Sequence, residues 1–172
     1  THLDWSPDGT YLACACWTGF KRGREPVYGD PWPVAPTMRV ITRRVYKLNG
    51  VGFIHDRWRH IWLLALDTGV WTQITDGAYD YGQPCWSHGG DRLVCVRTER
   101  AVNTPIGAGE LAIWHLSDGR VELPLGQWRG IAQSPCWAPD DSAIAFTGHE
   151  APRMQNWRAF FNREQSGPWR QL

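Results

Sequence analysis

Apolar and polar positions alternate along this chain in short runs separated by turn residues, the period-two pattern of β-strands. One stretch of the pattern is written three times. Trp5-Ser6-Pro7-Asp8-Gly9-Thr10-Tyr11-Leu12-Ala13-Cys14 is answered by Trp86-Ser87-His88-Gly89-Gly90-Asp91-Arg92-Leu93-Val94-Cys95 and by Trp137-Ala138-Pro139-Asp140-Asp141-Ser142-Ala143-Ile144-Ala145-Phe146. In each copy a tryptophan closes one apolar run, a turn follows, and a second run begins. Pro7 presets the φ of a turn's second position, and Gly9 and Gly90 can adopt positive φ at its end. The third copy places Asp141 there, a residue that tolerates the left-handed region less freely than glycine.

The runs between the copies complete the units. In the first, 3–6 and 10–16 form a hairpin, 61–66 is a continuous apolar strand, and 70–75 follows a turn at Asp67-Thr68-Gly69. In the second, strands are expected at about 83–87, 92–98, 110–116 and 120–125, with Ser117-Asp118-Gly119 repeating that turn. The third predicts 133–137, 143–148, 157–162 and 168–172. Four antiparallel strands in units of this size are the pattern of β-propeller blades. The fold class is therefore all-β: a partial β-propeller of about three four-stranded antiparallel blades, at 1–80, 81–130 and 131–172. The repeat tryptophans stand 81 and 51 residues apart, so the first blade carries a long insertion over 17–59. Within it, alternating 39–47 and 51–54 flank Leu48-Asn49-Gly50, a hairpin signal. Because Trp5, Trp86 and Trp137 recur at repeat positions, core packing is expected of all three.

Composition changes this picture little. The chain has 172 residues, 12 Trp, 18 Gly and 12 Pro, in keeping with many short strands and turns. Its net charge of +1 gives no electrostatic case for nucleic acid or an anionic membrane, and no apolar run is long enough to span a bilayer. Five cysteines with no Cys-x-x-Cys favour reduced structural thiols, as in the cytoplasm. Cys14 and Cys95 share their repeat position with Phe146, an apolar site. The start at Thr1 suggests a piece of something longer.

Several phrases imitate chemistry and are better explained as turns. His88-Gly89-Gly90 aligns with Pro7-Asp8-Gly9 and is a hairpin turn, not an oxyanion loop. His149-Glu150 lacks the second histidine of a metallopeptidase helix, and Gly50-Val51-Gly52 and Gly107-Ala108-Gly109 lack a strand-to-helix context. No metal and no cofactor is expected.

Trp-Ser-Pro-Asp-Gly followed by an apolar strand resembles the repeat of TolB-type propellers and of the N-terminal propellers of the prolyl oligopeptidase family of serine peptidases. Arg43-Arg44-Val45-Tyr46-Lys47-Leu48-Asn49-Gly50-Val51-Gly52-Phe53, with Arg59-His60-Ile61-Trp62, is similar to the acylaminoacyl peptidase branch. The resemblance covers nearly the whole chain. It implies that the propeller caps an α/β-hydrolase domain and admits short peptides to a Ser-Asp-His triad. No Gly-x-Ser-x-Gly is present, so that domain is missing and no catalytic residue carries over. The expected partners are the missing hydrolase domain, the remaining blades and a peptide substrate. The alternative is a TolB-like module that binds protein or sugar with no enzyme attached.

One asymmetry bears on contacts. Residues 17–60 hold nine Lys and Arg against Glu25, Asp30 and Asp56, a net of +6 that leaves −5 elsewhere. Arg39, Arg43, Arg44, Lys47, Arg57 and Arg59 are the candidates for contacting substrate or a neighbouring domain. The same charges would also serve simply to keep an exposed hairpin edge from pairing.

Overall fold

The alternation becomes fourteen strands and no helix among the described residues of the computed structural model: 2–18, 46–48, 52–53, 58–99, 108–126, 128, 130–150, 158–162 and 170–171. The first blade consists of β1 (Leu3–Trp5), β2 (Tyr11–Thr18), β5 (Trp58–Ala65) and β6 (Trp71–Gln73), hydrogen-bonded in that order. Between β2 and β5, β3 (Lys47–Leu48) and β4 (Gly52–Phe53) pair as a separate two-stranded sheet, with Lys47 opposite Phe53. Thus the described part of the 39–54 hairpin stands outside the blade; its remaining residues lie outside the described ones. β7 (Tyr79–Trp86), β8 (Arg92–Glu99), β9 (Glu110–His115) and β10 (Val121–Glu122) make the second blade. The third is β11 (Ile131–Trp137), β12 (Ile144–His149), β13 (Arg158–Asn162) and β14 (Arg170–Gln171). Every pairing is antiparallel.

The second blade lies between the other two, and its strands show why it is apolar on both faces. Leu93 and Cys95 of β8 face the first blade with Ala112 and Trp114 of β9, where they meet Ala13, Ala15, Ile61 and Leu63. Val94 and Val96 face the third blade with Leu111 and Ile113, against Ile144 and Phe146. Removing one large side chain from such a face, as in Leu93→Ala, would cost about 2–5 kcal/mol in transfer and cavity energy.

The repeated turns are built alike. Gly9, Gly90 and Asp141 have φ of 70°, 74° and 55°. The N–H of each donates to the carbonyl three residues back, on Ser6, Ser87 and Ala138. Asp141 thus adopts the left-handed conformation that glycine takes in the other copies. Two features go beyond the strand pattern. Gln83 and Ser134 also have positive φ, 53° and 51°, and mark β-bulges where the registers of β7 and β11 shift. Each precedes a proline, Pro84 or Pro135, which cannot donate to a ladder.

Repeat equivalence does not mean equal burial. Trp86 and Trp137 are buried, but Trp5 is 59% exposed, which corrects the core role expected of it. Each of the two buried tryptophans packs backward onto the preceding blade. Direct cross-strand pairing puts Leu3, Trp5, Leu12, Cys14, Trp62 and Leu64 on the opposite face of the first blade from Ala13 and Leu63. No described element covers that face.

Candidate functional site

Antiparallel order divides each blade into two ends. The turn at 6–10 and the turn at 66–70 share one end; the 19–57 connection leaves and re-enters at the other, where Thr18 pairs with Trp58. The sequence-derived contact candidates belong to this insertion end. Arg39, Arg43, Arg44 and Arg57 lie outside the described residues. Lys47 is in β3, and Arg59 is in β5, so the described residues do not bring the six together.

Arg59 occupies the junction of the first two blades. Its backbone N–H donates to Asp80 Oδ1 at 2.9 Å, tying β5 to β7. Its guanidinium lies 5.8 Å from the ring of Trp17. It also lies against Gly82, where a Cβ would stand 3.3 Å from Nη2, so a larger residue at 82 would displace it. The Nε is buried without a hydrogen bond, which leaves this arginine an unused donor.

On the second blade another arginine is neutralised by a carboxylate. Arg97 donates from Nε and Nη2 to Glu110 Oε1 at 2.9 and 2.6 Å and lies 4.3 Å from the Tyr79 ring. Burial opposes its charge, but the Glu110 carboxylate prevails and raises its pKa. Tyr81 packs edge-on to Trp114 with ring centroids 5.8 Å apart, and burial pushes its hydroxyl up to about 12. His60 is buried next to it, its Nδ1 3.1 Å from Thr75 Oγ1, which also accepts the Ile61 N–H. Burial lowers the His60 pKa, with Asp76 and Asp80 opposing, and so favours the neutral ring. Neither the Arg97–Glu110 pair nor the His60–Thr75 pair was singled out in the sequence, because each depends on cross-strand register.

At the turn end, side-chain carboxylates organise the hairpins. Asp8 accepts from Ser6 Oγ, Thr10 N and Thr10 Oγ1, which hold its pKa below the usual carboxylate value. Asp141 reaches across to the second blade and accepts from the N–H groups of His88 and Gly89 at 2.9 and 2.8 Å. Its Oδ1 is also 3.0 Å from His88 Nδ1. Among the described residues no group of three or more His, Cys, Asp or Glu is placed to hold a metal ion. Among the same residues no helix is long and apolar enough to cross a membrane.

Stacked four-stranded antiparallel blades with this turn give the chain the fold of a β-propeller segment. No family model matches the chain, and no curated protein matches it. Solved structures do. A putative TolB from Agrobacterium tumefaciens matches over 97% of this chain and 46% of its own, with a TM-score of 0.61 and 16% identity. A puromycin-hydrolyzing peptidase from Mycobacterium tuberculosis matches over 100% and 23%, at 0.64 and 19%. The β-propeller domain of the trilobed protease from Pyrococcus furiosus matches over 99% and 43%, at 0.55 and 10%. The chain therefore spans less than half the length of each of these proteins.

Proposed function

We propose that this segment is part of the access-controlling propeller of an acylaminoacyl-peptidase-like serine peptidase, whose α/β-hydrolase domain hydrolyses short or N-blocked peptides. The observation that carries the reading is the insertion end of the first blade. There the β3–β4 sheet stands apart from the blade within the most basic part of the chain. A two-stranded sheet is at best marginally stable by itself, so a contact partner for it is physically favoured. The peptidases among the structural neighbours support the choice of parent, and the Trp5 face, which no described element covers, suits a further blade. On this reading Arg39, Arg43, Arg44, Lys47, Arg57 and Arg59 attract a peptide carboxylate or pair with acids of the hydrolase domain. The likeness to a putative TolB favours a second reading, a binding module for protein or sugar with no enzyme attached.

The test is charge reversal, Arg43→Glu with Arg44→Glu, in the full-length protein. Loss of one charge-assisted contact should raise KM for a short peptide about tenfold or loosen domain association, with the propeller's Tm nearly unchanged. A much lower Tm with unchanged kinetics would make the hairpin a structural element. Absence of hydrolysis by the full-length protein would favour the binding module.

A further inference from the structure

Cys-x-x-Cys is absent from the chain, but a closer pair of thiols stands in the first blade, in Cys14-Ala15-Cys16. Both cysteines lie in β2, where residues two apart share a face, and their Sγ atoms are 3.3 Å from each other. Leu3 and Trp62 stand directly across from Cys14 on β1 and β5, and His60 stands across from Cys16. Cys14 is buried, whereas Cys16 is half-buried and gives the pair its access to solvent. The repeat explains only one of the two. Cys95 and Phe146 hold the place of Cys14, but Arg97 and Gly148 hold that of Cys16. Cys95, with no thiol beside it on its strand, donates instead to the Ala112 carbonyl at 3.6 Å.

The strand decides which chemistry is open to the pair. Residues two apart in an extended strand have Cα atoms about 6.6–6.8 Å apart, the far limit of what a disulfide spans. Closing one would pinch β2 and break its ladder with β5, which is continuous from Tyr11 to Thr18. Burial, and after it the neighbouring Cys16, push the Cys14 thiol up to about 12, so it stays protonated and exchanges poorly with disulfides. A bridging ion makes no such demand. With metal–sulfur bonds of about 2.3 Å it holds two sulfurs as much as about 4.6 Å apart, a span that side-chain rotation reaches with the ladder intact. Zinc would require further ligands, and among the described residues no His, Cys, Asp or Glu supplies a third. His60 directs its Nδ1 to Thr75 Oγ1.

We propose that Cys14 and Cys16 form a two-thiolate site for a soft monovalent cation, copper(I) being the physiological example. Binding replaces two S–H bonds by two S–Cu bonds and releases two protons; copper stays monovalent, and no oxidant or reductant is consumed. Soft thiolate ligands favour copper(I), which is content with two of them, over ions that need a fuller shell. The apolar Leu3 and Trp62 beside the buried sulfur keep competing water away. The site does not rest on the proposed peptidase role.

The probe is copper(I), offered to the reduced full-length protein under nitrogen in a buffer of bicinchoninate, whose colour reports the copper it keeps. The protein should withdraw one equivalent. Two thiolates on one strand act as a chelate, so loss of either should weaken binding at least about a hundredfold. Cys16→Ser changes a half-buried position, and Cys14→Val places an apolar side chain where the third repeat has Phe146, so both keep the blade. Urea midpoints verify that they do. Cys136→Ser removes an exposed thiol of another blade and should leave the affinity unchanged. Zinc chloride should bind at least about a hundredfold more weakly than copper(I). Retention of all the copper by bicinchoninate, wild-type affinity in Cys16→Ser or Cys14→Val, an equal loss in Cys136→Ser, or zinc binding as tight as copper would each overturn the assignment.

Discussion

The three repeat tryptophans occupy equivalent places in sequence but unequal ones in energy, and replacing each with phenylalanine measures the difference. At Trp137 the change removes the Nε1 bond to the Cys85 carbonyl and reduces the stacking of Arg92. The bond contributes about 1 kcal/mol and the cation–π contact about 0.5–1, and the smaller ring adds roughly another 1 for imperfect filling. Trp137→Phe should therefore cost about 2–3 kcal/mol. Trp86 has neither polar contact, so Trp86→Phe should cost only the packing term, about 1 kcal/mol. Trp5 is 59% exposed, and Trp5→Phe should stay within about 0.5 kcal/mol. Urea unfolding of the four proteins, read as midpoint shifts at a common slope, gives the three values. The order Trp137, Trp86, Trp5 is the critical result. If Trp5→Phe is as costly as Trp137→Phe, or if Trp86→Phe is the most costly, backward packing onto the preceding blade is the wrong account.

Asp141 combines a strained φ with a bridge to the second blade, and three substitutions separate the two. Asp141→Asn keeps one acceptor but turns an amide N–H toward the other backbone N–H, and should cost about 1 kcal/mol. Asp141→Gly loses both acceptors while relieving the strain and should cost about 1–2 kcal/mol. Asp141→Ala loses both and keeps the strain, at about 3 kcal/mol. Thermal unfolding checks the order. His60 is buried with a pKa below its ordinary 6.5, so the unfolded chain takes up a proton as pH falls through 6.5 and the folded chain does not. Stability should therefore fall from pH 7 toward pH 5, and His60→Gln should flatten the decline over that window in urea titrations. The carboxylates of Asp8, Asp91 and Asp141, with lowered pKa values, should withdraw their stabilisation only on further acidification, below the ordinary carboxylate range.

Much of the fold was legible because blades are local objects. The hairpin at Trp86 to Cys95, the turns at Gly69 and Gly119, and the left-handed Asp141 all follow from adjacent residues and period-two alternation. The bulges at Gln83 and Ser134 were not foreseen, although Pro84 and Pro135 inside otherwise regular strands were their signal. Trp5 misled for a different reason. Its neighbours in sequence match those of Trp86, and only the stacking order of the blades says which tryptophan has a surface behind it. Of the candidate contact residues, Arg59 was expected at the end of the 17–59 insertion, before a strand beginning at 61. The strand begins at Trp58, and the wedge of Arg59 between Trp17 and Gly82 depends on the approach of two blades.

The access role is tested most directly by shortening the insertion in the full-length protein. Thr18 and Trp58 pair directly, so residues 19–57 can be replaced by a short Gly-rich turn without disturbing the β2–β5 ladder. Hydrolysis is then compared for a blocked dipeptide and for an unfolded chain of about thirty residues, a length well beyond the short peptides that a propeller filter admits. The account predicts that the intact protein cleaves only the dipeptide, and that the shortened one retains the dipeptide kcat while gaining activity on the long chain. Equal cleavage of both substrates by the intact protein, or an unchanged preference after shortening, would contradict it.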